Sequence, residues 1–171
     1  MKIKIRPEKI EDIAKIYEIN LLAFNQPNEA ELVNNLRNKK KMLLSLVAES
    51  DKKIFGHILF TPLRIVPKNS KIKGAGLAPM AVLPNFQNRG IGSMLINEGL
   101  KKLKLMLYDF VVVLGHPNYY PRFGFLSASS FGIKCPYAGV PDEAFMIKEL
   151  KENVVHNLSG ELKYIKEFDE V

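Results

Sequence analysis

"MAVLPNFQNRGIGSML", residues 80–95, joins the end of an apolar run to the start of a helical pattern through a loop with two glycines. From Gly90 onward, Ile91, Leu95, Gly99 and Leu103 fall near one face of a helix. A strand that hands its chain to a helix in this way leaves the first helical amides without intrahelical acceptors, at the positive end of the dipole. Such a loop can hold an anion, and it can equally be a plain turn. Spacing excludes two phosphate-binding patterns. A dinucleotide fingerprint requires a third glycine where Leu95 stands, and a P-loop requires Gly-Lys-Ser/Thr after four intervening residues.

Working outward, Pro79 lies in "GLAPMAV", inside the strand candidate 71–82. Proline cannot donate a ladder hydrogen bond, so a bulge or a one-sided parting of the sheet is expected there. Downstream, "FVVVLG" (110–115) is a continuous apolar run of the kind found in strands buried on both faces. Strand, glycine loop, helix and buried strand form a βαβ unit.

The remaining elements follow from periodicity. "KIKIR" (2–6) alternates charged and apolar residues as a half-buried strand does. Ile10, Ile13, Ile16, Tyr17, Leu21 and Phe24 recur at helical spacing, with Glu8, Glu11 and Asp12 in the favoured first turn. "NEAELVNNLRNKK" (28–40) repeats the pattern with Leu32, Val33 and Leu36. "MLLSLVAES" and "DKKIFGHILFTPLRIV" form a hairpin turning at Asp51-Lys52-Lys53, and "AFMIKEL" and "GELKYIKEF" are the last strand candidates. A short helical piece, "NYYPRFGF", precedes them. The sum is a single domain over 1–171 with a mixed α/β sandwich.

Composition narrows the function classes. The 171 residues, 47% hydrophobic and 25% charged, suit one folded domain. Cys135 is the only cysteine, which excludes an intrachain disulfide and a thiolate-rich metal site, and no metal is expected. The net charge of +7 favours an anionic partner: nucleic acid, a membrane surface or a phosphorylated small molecule. The densest lysine clusters, "RNKKK" (37–41) and "KKLK" (101–104), each end a helix and complement its dipole, which disfavours a nucleic-acid arm. No apolar run approaches the ~20 residues of a membrane helix, and "MKIKIRPEK" lacks a signal peptide's apolar stretch. A cytoplasmic protein without a membrane partner is expected.

Two motifs together carry a resemblance. "MAVLPNFQNRGIGSML" is similar to the acetyl-CoA loop of the GNAT superfamily of N-acetyltransferases, [QR]xxGxG/A after a strand ending hydrophobic-Val-x-Pro. "FVVVLGHPNYYPRFGF" (110–125) resembles its second signature, in which a tyrosine lies four residues before a Gly-Phe pair, here Tyr120 before Gly124-Phe125. "LGHPNYYPRFGF" and "PYAGVPDEAFMIKEL" further resemble a bacterial subgroup of predicted acetyltransferases; the last twenty residues fit more loosely.

The resemblance implies a fold and a set of roles. The fold is a mixed, mostly antiparallel sheet of about seven strands flanked by helices, splayed between the central strands. The pantetheine arm of acetyl-CoA lies in that splay. Backbone amides from Gln87, Asn88, Arg89, Gly90, Ile91, Gly92 and Ser93 would hold the pyrophosphate, with the backbone around Ala81 and Val82 offering a donor to the thioester carbonyl. Tyr120 matches the acid that serves the departing sulfur; its other reading is an aromatic anchor beside Tyr119 and Phe123. His116 and Glu49 are candidate bases for the attacking amine, whereas His57 reads as a strand residue.

Two departures stand out. Subgroup relatives carry an acidic residue where this chain has His116, and the superfamily's pantetheine-binding asparagine position is Val113 here. The implied reaction is transfer of an acyl group, expected to be acetyl, to a primary amine of a small molecule or peptide. The alternative is a non-catalytic CoA-binding module of the same fold. A homodimer is left open.

Overall fold

The computed structural model describes residues 1–68, 71–158 and 160–170. Its strands are β1 (Lys4–Pro7), β2 (Leu44–Ser50), β3 (Lys53–Val66), β4 (Gly74–Val82), β5 (Phe110–Leu114), β6 (Leu126–Ser127), β7 (Phe145–Glu149) and β8 (Glu161–Tyr164). The helices are α1 (Ile13–Phe24), α2 (Asn28–Asn38) and α3 (Ile91–Leu105). One sheet of eight strands runs β1-β2-β3-β4-β5-β7-β6, with β8 off this path on β3. Every pairing with a given register is antiparallel except β4 with β5. Eight strands meet the expectation of about seven; β6 spans only two residues, too few for a periodic signal.

The chain divides into two compact units. The first comprises residues 1–60, 78–99 and 166–171, the second residues 61–77 and 100–165.

In the first unit, β2 and β3 turn tightly through Asp51 and Lys52, both in the left-handed region (φ 49° and 62°), as a two-residue hairpin with a right-handed twist requires. Successive side chains of β3 point to opposite faces. On one face a Cβ at Gly56 would touch Ile91 and Leu95 of α3, and Gly99 leaves room for the ring of Phe60. On the other, His57 meets Asn20 of α1.

The α1 stripe differs from expectation. Ile16, Ile19 and Asn20 are buried, whereas Ile10 is 89% exposed and Leu21 and Phe24 lie at the surface. Ile10 belongs to a 3-10 turn ahead of the helix, so the 3.6-residue phase starts later than its side chain suggested. In α2 the expected Leu32, Val33 and Leu36 are all buried.

In the second unit, Phe110, Val112, Phe145, Ile147, Val155 and Leu162 share one core cluster. The β4–β5 ladder runs from Gly74 opposite Phe110 to Leu77 opposite Val113. β4 itself continues to Val82, through Pro79. The register with β5 ends at Leu77, two residues before the proline.

Candidate functional site

The glycine loop lies in the first unit. After β4, the Leu83 amide donates to the Phe55 carbonyl (2.9 Å), which ties the strand's exit to β3. A 3-10 turn, Pro84–Phe86, follows. The Gln87 amide closes that turn on the Pro84 carbonyl (3.3 Å), and the Gln87 side chain donates to the Val82 carbonyl (3.1 Å). Gln87 is thus engaged within the loop, with less amide to offer an anion than its neighbours. Ala81 and Val82 are buried at the strand's end.

Beyond Gln87 the chain needs two left-handed residues, Asn88 (φ 59°) and Gly90 (φ 81°). Asparagine tolerates that region and glycine adopts it without penalty. The Gly90 carbonyl accepts the Met94 amide (3.0 Å), so α3 is hydrogen-bonded from Gly90 onward. The amides of Ile91, Gly92 and Ser93 fall in the first turn, where no intrahelical acceptor exists. A Cβ built at Gly90 meets nothing within 4 Å, so the backbone faces open space. Arg89 is exposed, with its guanidinium carbon 5.1 Å from the centroid of Phe86, whose ring packs on Phe55 at 4.5 Å. That stack holds a cation beside the helix start.

The tyrosine corner lies in the second unit. At the end of β5, the His116 carbonyl accepts the amides of Tyr119 (3.0 Å) and Tyr120 (3.4 Å), and a 3-10 turn, Tyr120–Phe123, closes at left-handed Gly124. The Tyr120 ring meets Tyr119 (5.2 Å), Phe125 (5.6 Å) and Phe123 (6.5 Å) edge-on, and it is only 7% exposed. Burial, and after it Tyr119, raises the Tyr120 phenol well above the ordinary tyrosine value, so it keeps its proton at neutral pH. The His116 imidazole is exposed.

These features agree with the comparisons. The family described as "Acetyltransferase (GNAT) domain" matches residues 4–128. The chain belongs to the GNAT acetyltransferases. It is 39% identical over 135 residues to the N-acetyltransferase YjhQ of Escherichia coli strain K12, covering 77% of this chain and 74% of that one. The crystal structure of E. coli YhbS, a GNAT N-acetyltransferase in complex with CoA, superposes with a TM-score of 0.93 at 30% identity, covering 99% of this chain and 93% of that one. A GNAT acetyltransferase from Brucella melitensis in complex with acetyl-CoA gives 0.81 at 34% identity, covering 98% and 99%.

Of the acetyltransferase's other sequence candidates, Glu49 lines a pocket with Arg6, Phe55 and Leu83, where β4 leaves for the glycine loop. Glu49 accepts from Arg6 Nε (2.6 Å), and Arg6 also pairs with buried Asp12, which commits the Glu49 carboxylate to an ion pair. His57 is fully buried, with Nδ1 at 3.2 Å from the Asn20 side-chain nitrogen and Nε2 at 2.9 Å from Ser45 Oγ. Ser45 in turn donates to Glu8, which Arg37 grips through Nε (2.8 Å) and Nη2 (2.9 Å). An Asn20 nitrogen that donates to Nδ1 places the imidazole proton on Nε2, so the chain of donors runs from His57 through Ser45 to Glu8. Burial, partly countered by Glu8, pushes His57 down to about 4. It is a structural strand residue, as its sequence position suggests.

Cys135 is half-buried and points its sulfur toward the Tyr137 carbonyl (3.8 Å). Among the described residues no His, Cys, Asp and Glu group could hold a metal, and no helix is long and apolar enough to cross a membrane. Sequence reasoning missed Tyr164. Its hydroxyl donates to the Leu77 carbonyl (2.9 Å) and accepts from the Leu114 amide (3.3 Å) at the end of the β4–β5 ladder.

Proposed function

We propose that this chain transfers an acetyl group from acetyl-CoA to a primary amine by direct attack. The observation that carries the reading is the start of α3. Gly90 turns left-handed beneath open space, and the amides of Ile91, Gly92 and Ser93 follow without intrahelical acceptors. This donor set fits a pyrophosphate, whose oxygens accept from backbone amides and gain from the helix dipole.

Asn88, Gly90, Ile91, Gly92 and Ser93 hold the pyrophosphate; Arg89, stacked on Phe86, adds positive charge at its edge, and Gln87 braces the loop through its own hydrogen bonds. Acetyl-CoA, when bound, supplies a thioester carbonyl open to attack by a neutral amine. The backbone at Ala81 and Val82 donates toward that carbonyl's developing charge. Tyr120 keeps its proton in the resting enzyme, because burial favours the neutral phenol, and presents it to the departing sulfur. His116 stands at the mouth of the same corner as the group that takes the amine's proton, exposed where an acceptor arrives. Residues 1–171 act as one functional domain, in the cytoplasm, on a small-molecule or peptide amine and without a nucleic-acid or membrane partner. A homodimer is compatible with this activity.

Calorimetry with acetyl-CoA tests binding first, and release of free thiol against a panel of amines and peptides tests turnover. No heat of binding at roughly millimolar cofactor would remove the reading. Binding without turnover on any amine would favour a CoA-binding module.

A further inference from the structure

Tyr164 closes β8, and its side chain reaches from there into the ladder between β4 and β5. Its hydroxyl lies 2.9 Å from the Leu77 carbonyl oxygen, 3.3 Å from the Leu114 amide and 3.4 Å from the Val112 carbonyl oxygen. The last register pair of that ladder is Leu77 with Val113. In a parallel ladder the bond that follows this pair runs from the Leu114 amide to the Leu77 carbonyl, the two groups that the hydroxyl also engages. One oxygen therefore donates to one partner of the final rung and accepts from the other.

The placement is built in from several sides. A Cβ at Gly76 would lie 2.6 Å from Tyr164 Cε1, so only glycine lets the ring lie flat on β4. The Tyr164 amide donates to the Tyr137 hydroxyl (2.8 Å), and Arg64 Nε donates to the Tyr164 carbonyl (2.7 Å). Pairing of Leu63 with Tyr164 fixes the register of β8 on β3. Burial raises the phenol far above its ordinary value, which keeps the hydroxyl a donor. Two residues beyond Leu77 along β4 stands Pro79, with no N–H to offer a following rung.

We infer that Tyr164 is a positioning residue for the acyl donor: its hydroxyl clasps the final β4–β5 rung at Leu77 and Leu114 and so sets the point at which the two strands part. This rests on the proposed reading and on the family resemblance, which lays the pantetheine arm of acetyl-CoA in the splay. With the hydroxyl present, the ladder stops at a defined rung, and the backbone beyond it stays available. Without the hydroxyl, the final rung loses its third partner and frays, so the point of parting shifts back along the ladder. The effect falls on cofactor affinity and leaves the proton held by Tyr120 untouched.

Tyr164→Phe keeps the ring over Gly76 and deletes the oxygen alone. The expected result is a rise of about tenfold in the acetyl-CoA dissociation constant and KM, the equivalent of one hydrogen bond, with kcat at saturation within about threefold and its pH profile unchanged. A lowered Tm with unchanged acetyl-CoA affinity would mark Tyr164 as merely structural and overturn the inference. If the variant does not fold, Tyr137→Phe, which removes the acceptor of the Tyr164 amide, is expected to raise the same constant about two- to fivefold. Unchanged affinity there also overturns it. Wild-type protein that does not bind acetyl-CoA would instead remove the functional reading, so the two failures are distinguishable.

Discussion

Gly115 lies against the edge of the Tyr120 ring so closely that a Cβ at position 115 would overlap Tyr120 Cε2 and Cδ2. The clash is with a ring that Tyr119, Phe123 and Phe125 already enclose, and an enclosed ring cannot yield as a flexible side-chain end can. Gly115→Ala is expected to destabilise the protein by about 1–3 kcal/mol, the usual cost of overpacking. It should also move the phenol away from its place at the end of β5. Turnover should fall at least about tenfold, since small misplacement of a catalytic group is costly, while acetyl-CoA affinity measured by calorimetry stays near wild type.

Tyr120→Phe separates placement from chemistry. The variant keeps the ring and its edge-on contacts and loses only the hydroxyl that meets the sulfur in the proposed mechanism. A fall of about 10²-fold or more in kcat is expected, with little change in the dissociation constant of acetyl-CoA, as for a general acid. Equal turnover at saturating substrate would leave Tyr120 as an aromatic anchor.

The β4–α3–β5 stretch was legible in the sequence because its signals are local. A continuous apolar run, a glycine at a left-handed turn and a helical phase starting at Ile91 each sit within a few residues of one another. The tyrosine corner was legible only through the resemblance of Tyr120 and Gly124-Phe125 to the superfamily's second signature; the residues alone gave no more than a short helical piece. Tyr164 was not, because its role depends on Gly76, Leu77 and Leu114, which only the folded sheet brings to it. Ile10 misled for a related reason: helical spacing marks a phase, but a 3-10 turn ahead of α1 rotated that residue to the surface. The buried row from His57 through Ser45 to Glu8 and Arg37 joins β3, β2, the segment after β1 and α2, and no spacing rule links them.

Gly90 tests the helix start. Its φ of 81° disfavours any residue with a Cβ by about 1–2 kcal/mol, and open space surrounds the position where that Cβ would stand. Gly90→Ala should therefore cost stability through the backbone alone, and Gly90→Asn should cost less, because asparagine tolerates the left-handed region. Both should weaken acetyl-CoA binding, since each puts a side chain where the pyrophosphate is proposed to approach. Chemical denaturation and calorimetry on the two variants separate these effects: stability should rank Gly, Asn, Ala, whereas affinity should fall for both. Unchanged affinity in Gly90→Ala would reduce Gly90 to a plain turn.

His57 gives the fold a pH dependence whose sign is determined. Its pKa falls from an ordinary 6.5 to about 4 in the folded state, because burial disfavours the imidazolium; Glu8 opposes that and Arg37 adds to it. The neighbouring Asn20 and Ser45 carry no charge of their own. The unfolded chain therefore binds the proton first, and stability fully present above pH 6.5 is lost as pH falls toward 4. The loss is on the order of 3 kcal/mol. Glu8 and Asp12 have lowered pKa values and so lose their contributions at still lower pH. For Glu8, burial is outweighed by its bonds from Arg37 and Ser45; for Asp12, the Arg6 hydrogen bond dominates. His57→Gln keeps a donor toward Ser45 and removes the titration. Urea denaturation from pH 7 to 4.5 should show wild type losing stability more steeply than the variant, and parallel curves would show that another group governs this window.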